Sequence, residues 1–189
     1  MQIGEMLEHL SSPAVLDDGE IGEVSIDYAV GTDNPWLVLF FYPADFTFVC
    51  PTELRALNEN LSRFDELDTA VWAVSTDGVY VHDAWREYVM GQDFRVTLVA
   101  DRSQDLSRLF ECLDEMTGMA YRCTVILDPQ GTVRFYSRQD NAVGRSVQEL
   151  LRIIAALQAC DASDGDVACE GWQPGDPLIT PRDESSGDD

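Results

Sequence analysis

Of the side chains in this 189-residue sequence, its five cysteines are the ones most able to do covalent chemistry, and the context of Cys50 sets it apart. Cys50 stands directly before Pro51, three residues after Thr47 and seven after Pro43, in the run Phe41-Tyr42-Pro43-Ala44-Asp45-Phe46-Thr47-Phe48-Val49-Cys50-Pro51-Thr52-Glu53. Behind it Leu54, Leu57, Leu61 and Phe64 recur at helical spacing, which predicts a helix over 51–64 with Pro51 in its first turn. Cys50 then sits at a helix N-terminus, where unpaired N–H groups and the helix dipole favour negative charge. A sulfur that carries that charge is a nucleophile. No second thiol stands in a Cys-x-x-Cys pattern around it, which argues against a dithiol oxidoreductase.

Positioning such a cysteine requires a rigid frame, and the hydrophobic pattern supplies one. Trp36–Tyr42 is a continuous apolar run that reads as a strand buried on both faces and central in a sheet, with Pro43 stopping it. Ala70–Ser75 and Val96–Ala100 read as further strands, and Gly22–Ile26 alternates like an edge strand. Val81–Met90 is a helical stretch, and Ser103 is expected to cap a helix running to about Cys112. Cys123–Leu127 and Val133–Tyr136 flank Asp128-Pro129-Gln130-Gly131, a hairpin with turn chemistry in its loop. Ser146–Ala159 carries Val147, Leu150, Leu151, Ile154 and Leu157 on one helical face. Strands alternating with helices, then a hairpin and a helix, give an α/β chain with a mixed sheet covered on both sides. One domain is expected over 1–180, and the Asp-, Ser- and Gly-rich stretch 181–189 reads as a disordered acidic tail.

The segment around Cys50 resembles the active-site motif of the peroxiredoxins, especially the alkyl hydroperoxide reductase C and typical two-cysteine branch, whose pattern is Pro-x-x-x-Thr/Ser-x-x-Cys. Pro43, Thr47 and Cys50 fill that pattern in register. The resemblance extends from about Gly31 to Asp176 and implies a thioredoxin-like fold. It implies a thiol peroxidase that reduces hydrogen peroxide and organic hydroperoxides. Cys50 would attack a peroxide oxygen and become sulfenic acid. Thr47 would offer its hydroxyl to the reacting oxygens, Pro43 would shape the pocket and shield the sulfur, and Arg122 would stabilise the thiolate and the departing oxygen. Arg122 falls in Ala120-Tyr121-Arg122-Cys123-Thr124, where the family usually has Arg-Gly-Thr, so Cys123 replaces a glycine. Glu53, Trp85 and Arg145 match further family positions and read as supporting or packing residues. His82 beside Asp83 has no ligand-spaced companion, so no metal site is expected, and the resemblance implies no metal, haem or flavin.

A second thiol must meet the oxidised Cys50, and the family carries it in a C-terminal Val-Cys-Pro-x-x-Trp-x-Pro-Gly. Here Val167-Ala168-Cys169-Glu170-Gly171-Trp172-Gln173-Pro174-Gly175 resembles that motif, but the family's cysteine position falls on Ala168 and Cys169 stands where proline is expected. The resemblance implies a disulfide between Cys50 and Cys169 of the two subunits of a dimer, with Cys160 in reserve. Dimers assembling into a ring, and a thioredoxin-like or dedicated reductase as electron donor, are implied in the same way. Cys112 and Cys123 lie among apolar neighbours and read as core thiols. The family's overoxidation-sensitive members carry a Gly-Gly-Leu-Gly loop where this chain has Val89-Met90-Gly91-Gln92-Asp93, so rapid resolution is expected. A one-cysteine mechanism stays open, as does a redox sensor or chaperone that uses Cys50 oxidation as a signal.

Charge bounds the partners. Thirty-five acidic residues face twelve basic ones, for a formal charge of −23, and every basic residue is arginine. Phosphate would repel such a surface, so nucleic acid and anionic membranes are poor partners. Acid excess without lysine reads as adaptation to a saline, halophilic cytoplasm. The acidic first thirty residues have no basic segment followed by an apolar one, so no signal peptide is expected and the protein is expected to be cytoplasmic.

Overall fold

The run expected to be buried on both faces is so: every residue of Trp36–Phe41 is buried. The computed structural model, which describes residues 1–29 and 34–181, sets this strand inside a seven-stranded mixed sheet. The strands are β1 (His9–Val15), β2 (Ile21–Asp27), β3 (Trp36–Phe41), β4 (Thr69–Ser75), β5 (Thr97–Ala100), β8 (Arg122–Leu127) and β9 (Val133–Gln139), in the spatial order β2-β1-β5-β4-β3-β8-β9. A separate small hairpin pairs β6 (Leu113–Asp114) with β7 (Met119–Ala120). The helices are α1 (Cys50–Asn58), α2 (Leu61–Asp65), α3 (Val79–Trp85), α4 (Asp105–Leu109) and α5 (Val147–Asp161). A π-helical turn, Arg86–Met90, continues α3.

Within the unit Met1–Val147, β3 pairs with β4 in parallel and with β8 antiparallel. Alternation divides its side chains. Leu37, Leu39 and Phe41 join Val74, Val99, Phe110, Val125 and Leu127 in one apolar cluster, while Val38 and Phe40 point to the other face. The β8–β9 hairpin turns as expected through Asp128–Gly131. Gly131 is needed there, because its φ is +82° and a Cβ would lie 2.4 Å from the Leu7 carbonyl oxygen. The unit Gln148–Asp189 contains nearly all of α5 and a loop in which Val167 and Ile179 form an antiparallel bridge.

Three local expectations need correction. The helix over 51–64 divides into α1 and α2, because Asn60 leaves helical geometry and its side-chain amide donates to the Ala56 carbonyl (2.8 Å). Ser103 does not cap α4. The carboxylate of Asp101 accepts the N–H groups of Leu106 and Ser107 (3.1 and 2.8 Å), Gln104 turns into the left-handed region, and the helix ends at Leu109. Cys112 is therefore outside the helix, whereas Cys160 lies in the last turn of α5. The tail expected to be disordered lies, from residue 182 on, outside the described residues.

Candidate active site

Cys50 is the first residue of α1 and is fully buried. No side chain caps that helix end: Val49 is the capping residue, and Pro51 contributes no N–H. The helix start thus presents its positive dipole end at the sulfur, with Glu53 the acidic residue of its first turn. β8 brings the second group. Phe40 pairs with Thr124, and continuing that antiparallel register sets Arg122 opposite Tyr42, where β3 gives way to the loop leading to Cys50. Nη1 of Arg122 lies 3.5 Å from Sγ of Cys50.

The same nitrogen donates to Oε2 of Glu53 at 2.6 Å, and Arg122 Nε donates to the carbonyl of Asn141 at 2.9 Å. Asn141 Oδ1 accepts the Arg122 backbone N–H at 3.1 Å, so one asparagine fixes both ends of the arginine. Arg145 is the second arginine on the Glu53 carboxylate. Its Nε and backbone N–H donate to Glu53 Oε1 (2.9 and 2.7 Å), its Nη1 donates to the Cys123 carbonyl (2.6 Å), and its guanidinium covers the Phe40 ring at 3.3 Å. Burial pulls Arg145 below the ordinary arginine range, and the Glu53 carboxylate opposes that shift. Glu53, Arg122 and Arg145 are all nearly fully buried. One carboxylate between two guanidiniums leaves one positive charge in excess, and a thiolate on Cys50 would balance it.

The loop before Cys50 is pinned at its root. Tyr42 Oη donates to Asp45 Oδ1 (2.7 Å), His82 Nδ1 bonds the other oxygen of Asp45 (2.7 Å), and the Asp45 N–H donates to Asp77 Oδ2 (2.9 Å). Burial raises the Asp45 carboxyl above the ordinary aspartate range, while the His82 and Tyr42 bonds pull it back. Trp85, fully buried, stacks on Tyr42 with ring centroids 5.9 Å apart and packs on Phe46 at 6.4 Å. Pro43 is buried, and Phe46 takes a positive φ of 54°, which swings the loop round to Thr47. The Thr47 hydroxyl is exposed and donates to the Ala44 carbonyl at 2.9 Å.

Cys50, Arg122, Glu53 and Arg145 are thus brought into one connected cluster, with Pro43, Thr47 and Trp85 in the adjoining loop and its support. Cys112 and Cys123 are buried, whereas in the C-terminal unit Cys160 is half-buried and Cys169 exposed. Sequence reading missed Asn141 and the Tyr42–Asp45–His82 network. The positions contributing to each are too far apart in sequence for spacing to betray them. His82, weighed as a metal ligand, instead directs its ring nitrogens at Asp45 and the Val99 carbonyl. Among the described residues no three His, Cys, Asp or Glu side chains cluster as metal ligands.

The chain is similar to known proteins. The model of the AhpC/TSA family matches residues 4–136. Peroxiredoxin prdx-2 of Caenorhabditis elegans is 39% identical over 95% of this chain and 89% of its own. The mitochondrial thioredoxin-dependent peroxide reductase of Rattus norvegicus is 38% identical over 94% of this chain and 69% of its own. The reduced 2-Cys peroxiredoxin of Plasmodium vivax superposes with a TM-score of 0.87 at 32% identity, covering 94% of this chain and 92% of that one. The fold is therefore the thioredoxin-like fold of the peroxiredoxins, and the activity is that of a thiol-dependent peroxidase. The chain belongs to the AhpC/TSA family.

Proposed function

We propose that Cys50 is the peroxidatic nucleophile of this enzyme, acting on hydrogen peroxide and organic hydroperoxides. The observation that carries the reading is Arg122 Nη1 at 3.5 Å from a sulfur at the uncapped start of α1, inside a buried cluster of net positive charge. The Cys50 thiolate attacks the terminal peroxide oxygen, the O–O bond breaks, and the departing oxygen takes a proton to leave as alcohol or water. Sulfenic acid remains on Cys50. Arg122 meets the negative charge as it passes from sulfur to the leaving oxygen. Thr47, whose hydroxyl donates to Ala44, keeps lone pairs to accept the peroxide O–H, and buried Pro43 helps keep water from the sulfur. Glu53, Asn141 and Arg145 position Arg122, and Trp85 supports the loop.

Cys169 of the partner subunit then attacks the sulfenic sulfur, releasing water and leaving an interchain disulfide. Its exposure, on a loop beyond the last helix, supports that assignment over Cys112 and Cys123. A thioredoxin-like or dedicated dithiol reductase restores both thiols. The working unit is a homodimer, with dimers assembling into a ring. Exposed Phe48, Tyr80 and Tyr88 supply apolar surface for a second copy to cover. The net charge of −23 without lysine fits a halophilic protein of the cytoplasm. No described helix is long and apolar enough to cross a membrane.

Peroxide consumption by the wild type, Cys50→Ser and Cys169→Ser, followed by non-reducing electrophoresis and peptide mapping, tests this. Cys50→Ser should fold and consume no peroxide. Cys169→Ser should consume about one equivalent and form no interchain Cys50 crosslink. Retained turnover in Cys50→Ser would overturn the assignment, a Cys50–Cys160 link would move the resolving role, and sulfinic acid on wild-type Cys50 without an interchain link would favour the one-cysteine mechanism.

A further inference from the structure

Cys160 has no step in the peroxide cycle, yet it lines the same groove as Cys169. One wall is α5, on which Arg152, Ala156 and Cys160 stand four residues apart and so share a face. The other is the segment 167–171, which the chain brings back along the helix. Ser163 begins the return: its hydroxyl and its N–H both donate to the Cys160 carbonyl (2.7 and 3.1 Å), and its side-chain oxygen accepts the Asp166 N–H (3.1 Å). Arg152 fixes the far end, its Nη1 donating to the Trp172 carbonyl at 3.2 Å. Trp172 is buried there, with its indole N–H on the Asp176 carbonyl (3.0 Å). Arg152 lies eight residues before Cys160, about 12 Å back along the helix axis, so the chain between Ser163 and Trp172 runs antiparallel to α5 and carries Cys169 past the same face.

Cys169 is exposed and Cys160 half-buried, whereas Cys112 and Cys123 are fully buried, so Cys160 is the thiol that can meet Cys169 of its own chain without opening the core. The groove has a volume of about 570 Å³, room for both side chains to turn toward each other. A disulfide needs Cα atoms roughly 4.4–6.8 Å apart. Reaching that separation moves the last turn of α5, which ends at Asp161, and an exposed loop, the parts of a fold that shift at least cost. Cys50, by contrast, is fully buried in the reduced fold, so a bond to the exposed Cys169 sulfur of a second copy draws it from its place beside Arg122. Breaking that bond lets Cys50 repack.

We propose that Cys160 is a third thiol of the cycle, which takes the disulfide over from Cys50 and leaves it within one chain as Cys160–Cys169. The step rests on Cys169 as the thiol that first captures oxidised Cys50. The Cys160 sulfur gives up its proton and attacks the Cys169 sulfur. The bond from Cys169 to Cys50 of the other protomer breaks, and Cys50 departs as the thiolate. One disulfide is exchanged for another with no net oxidation, and one proton is released to solvent. Cys160 attacks from nine residues away on the same chain, so the exchange is intramolecular and needs no further encounter. Cys50 is thereby free for a second peroxide before any reductant arrives, and the dithiol donor meets a disulfide on the exposed C-terminal segment.

The test compares full-length wild type with Cys160→Ser, both fully reduced and given one equivalent of hydrogen peroxide without a reductant. Samples are alkylated at intervals, separated by non-reducing electrophoresis and mapped by mass spectrometry. In the wild type the interchain Cys50–Cys169 dimer should rise and then decay to a monomer that carries a Cys160–Cys169 peptide link and an alkylated Cys50. In Cys160→Ser the dimer should rise and persist. A wild-type dimer that persists with Cys160 alkylated would overturn the relay and leave Cys169 as the resolving thiol. A dimer that forms in neither protein would overturn the assignment of Cys169 and the relay with it. Treating Cys50→Ser with diamide, a thiol oxidant, under native conditions separates the pairing from the peroxide step. The Cys160–Cys169 link should then form within single chains, and alkylated thiols at both positions would overturn the proposal.

Discussion

Nη1 of Arg122 stands 3.5 Å from the sulfur of Cys50 although the two residues are 72 apart in sequence. The contact exists because β8 runs antiparallel beside β3 and begins level with the loop that leads into α1. Replacing Arg122 with alanine removes one oriented donor from developing charge, which costs on the order of 10²–10³ in rate. Stopped-flow peroxide reduction should give that loss with the fold retained. Thr47→Val should also slow the reaction without unfolding the protein. Full speed in Arg122→Ala would mean that the guanidinium serves packing alone.

Glu53 is the counter-charge of both Arg122 and Arg145, and all three are buried. Glu53→Gln leaves two guanidiniums without a carboxylate, and removing one partner of a buried pair costs on the order of 3 kcal/mol. Urea unfolding should register that loss in the midpoint with little change in slope. A midpoint equal to the wild type would show that the surroundings compensate the two arginines.

Surface repulsion should make stability depend on salt. With 35 acidic residues against 12 basic ones, carboxylates crowd the surface, and raising salt to about 1 M shortens the Debye length to roughly 3 Å. The melting temperature should rise by many degrees between dilute buffer and molar potassium chloride. A melting curve indifferent to salt would reject the halophilic reading without touching the catalytic one.

Mild acid should also stabilise the protein in dilute buffer. Burial raises the carboxyl groups of Asp45 and Asp101 above the ordinary aspartate range. A carboxyl whose folded value exceeds its unfolded one takes up a proton on folding. Its contribution is fully present below the ordinary value of 3.8 and is lost as pH rises through the raised folded value. Lowering pH from about 7 to about 5 moves in the stabilising direction for both groups and also relieves surface repulsion. Asp101→Asn, which keeps an acceptor for one of the two α4 N–H groups and cannot ionise, should reduce the gain seen in melting curves. A melting temperature that falls over that interval would contradict this sign.

The parts of the fold visible in the sequence are those whose pattern is local. β3, β4, β5 and the β8–β9 hairpin appear as apolar or alternating runs, and Cys50 and Pro51 mark their helix by spacing. β1 was hidden because Ser11-Ser12-Pro13 reads as a loop. The proline is tolerated because β1 pairs with β5 only through Ala14 and Val15, leaving that side of Pro13 without a ladder partner. The start of α4 was misread because Asp101, which accepts its first-turn N–H groups, reaches forward from outside the helix. In the candidate site, helix-start placement and resemblance pointed to Cys50, and resemblance pointed to Thr47, Pro43 and Arg122. Neither could reveal that Asn141 clamps Arg122, since chain pairing across the sheet creates that contact.

The most direct test of the central claim is to trap the first intermediate. The wild type, fully reduced, is mixed with one equivalent of hydrogen peroxide in the presence of dimedone, which labels sulfenic acid, and its peptides are mapped by mass spectrometry. The account predicts the adduct on Cys50 at early times, no more than traces on the other cysteines, and its loss in Cys50→Ser. A dominant early adduct on any other cysteine, or unmodified Cys50 after the peroxide is consumed, would contradict it.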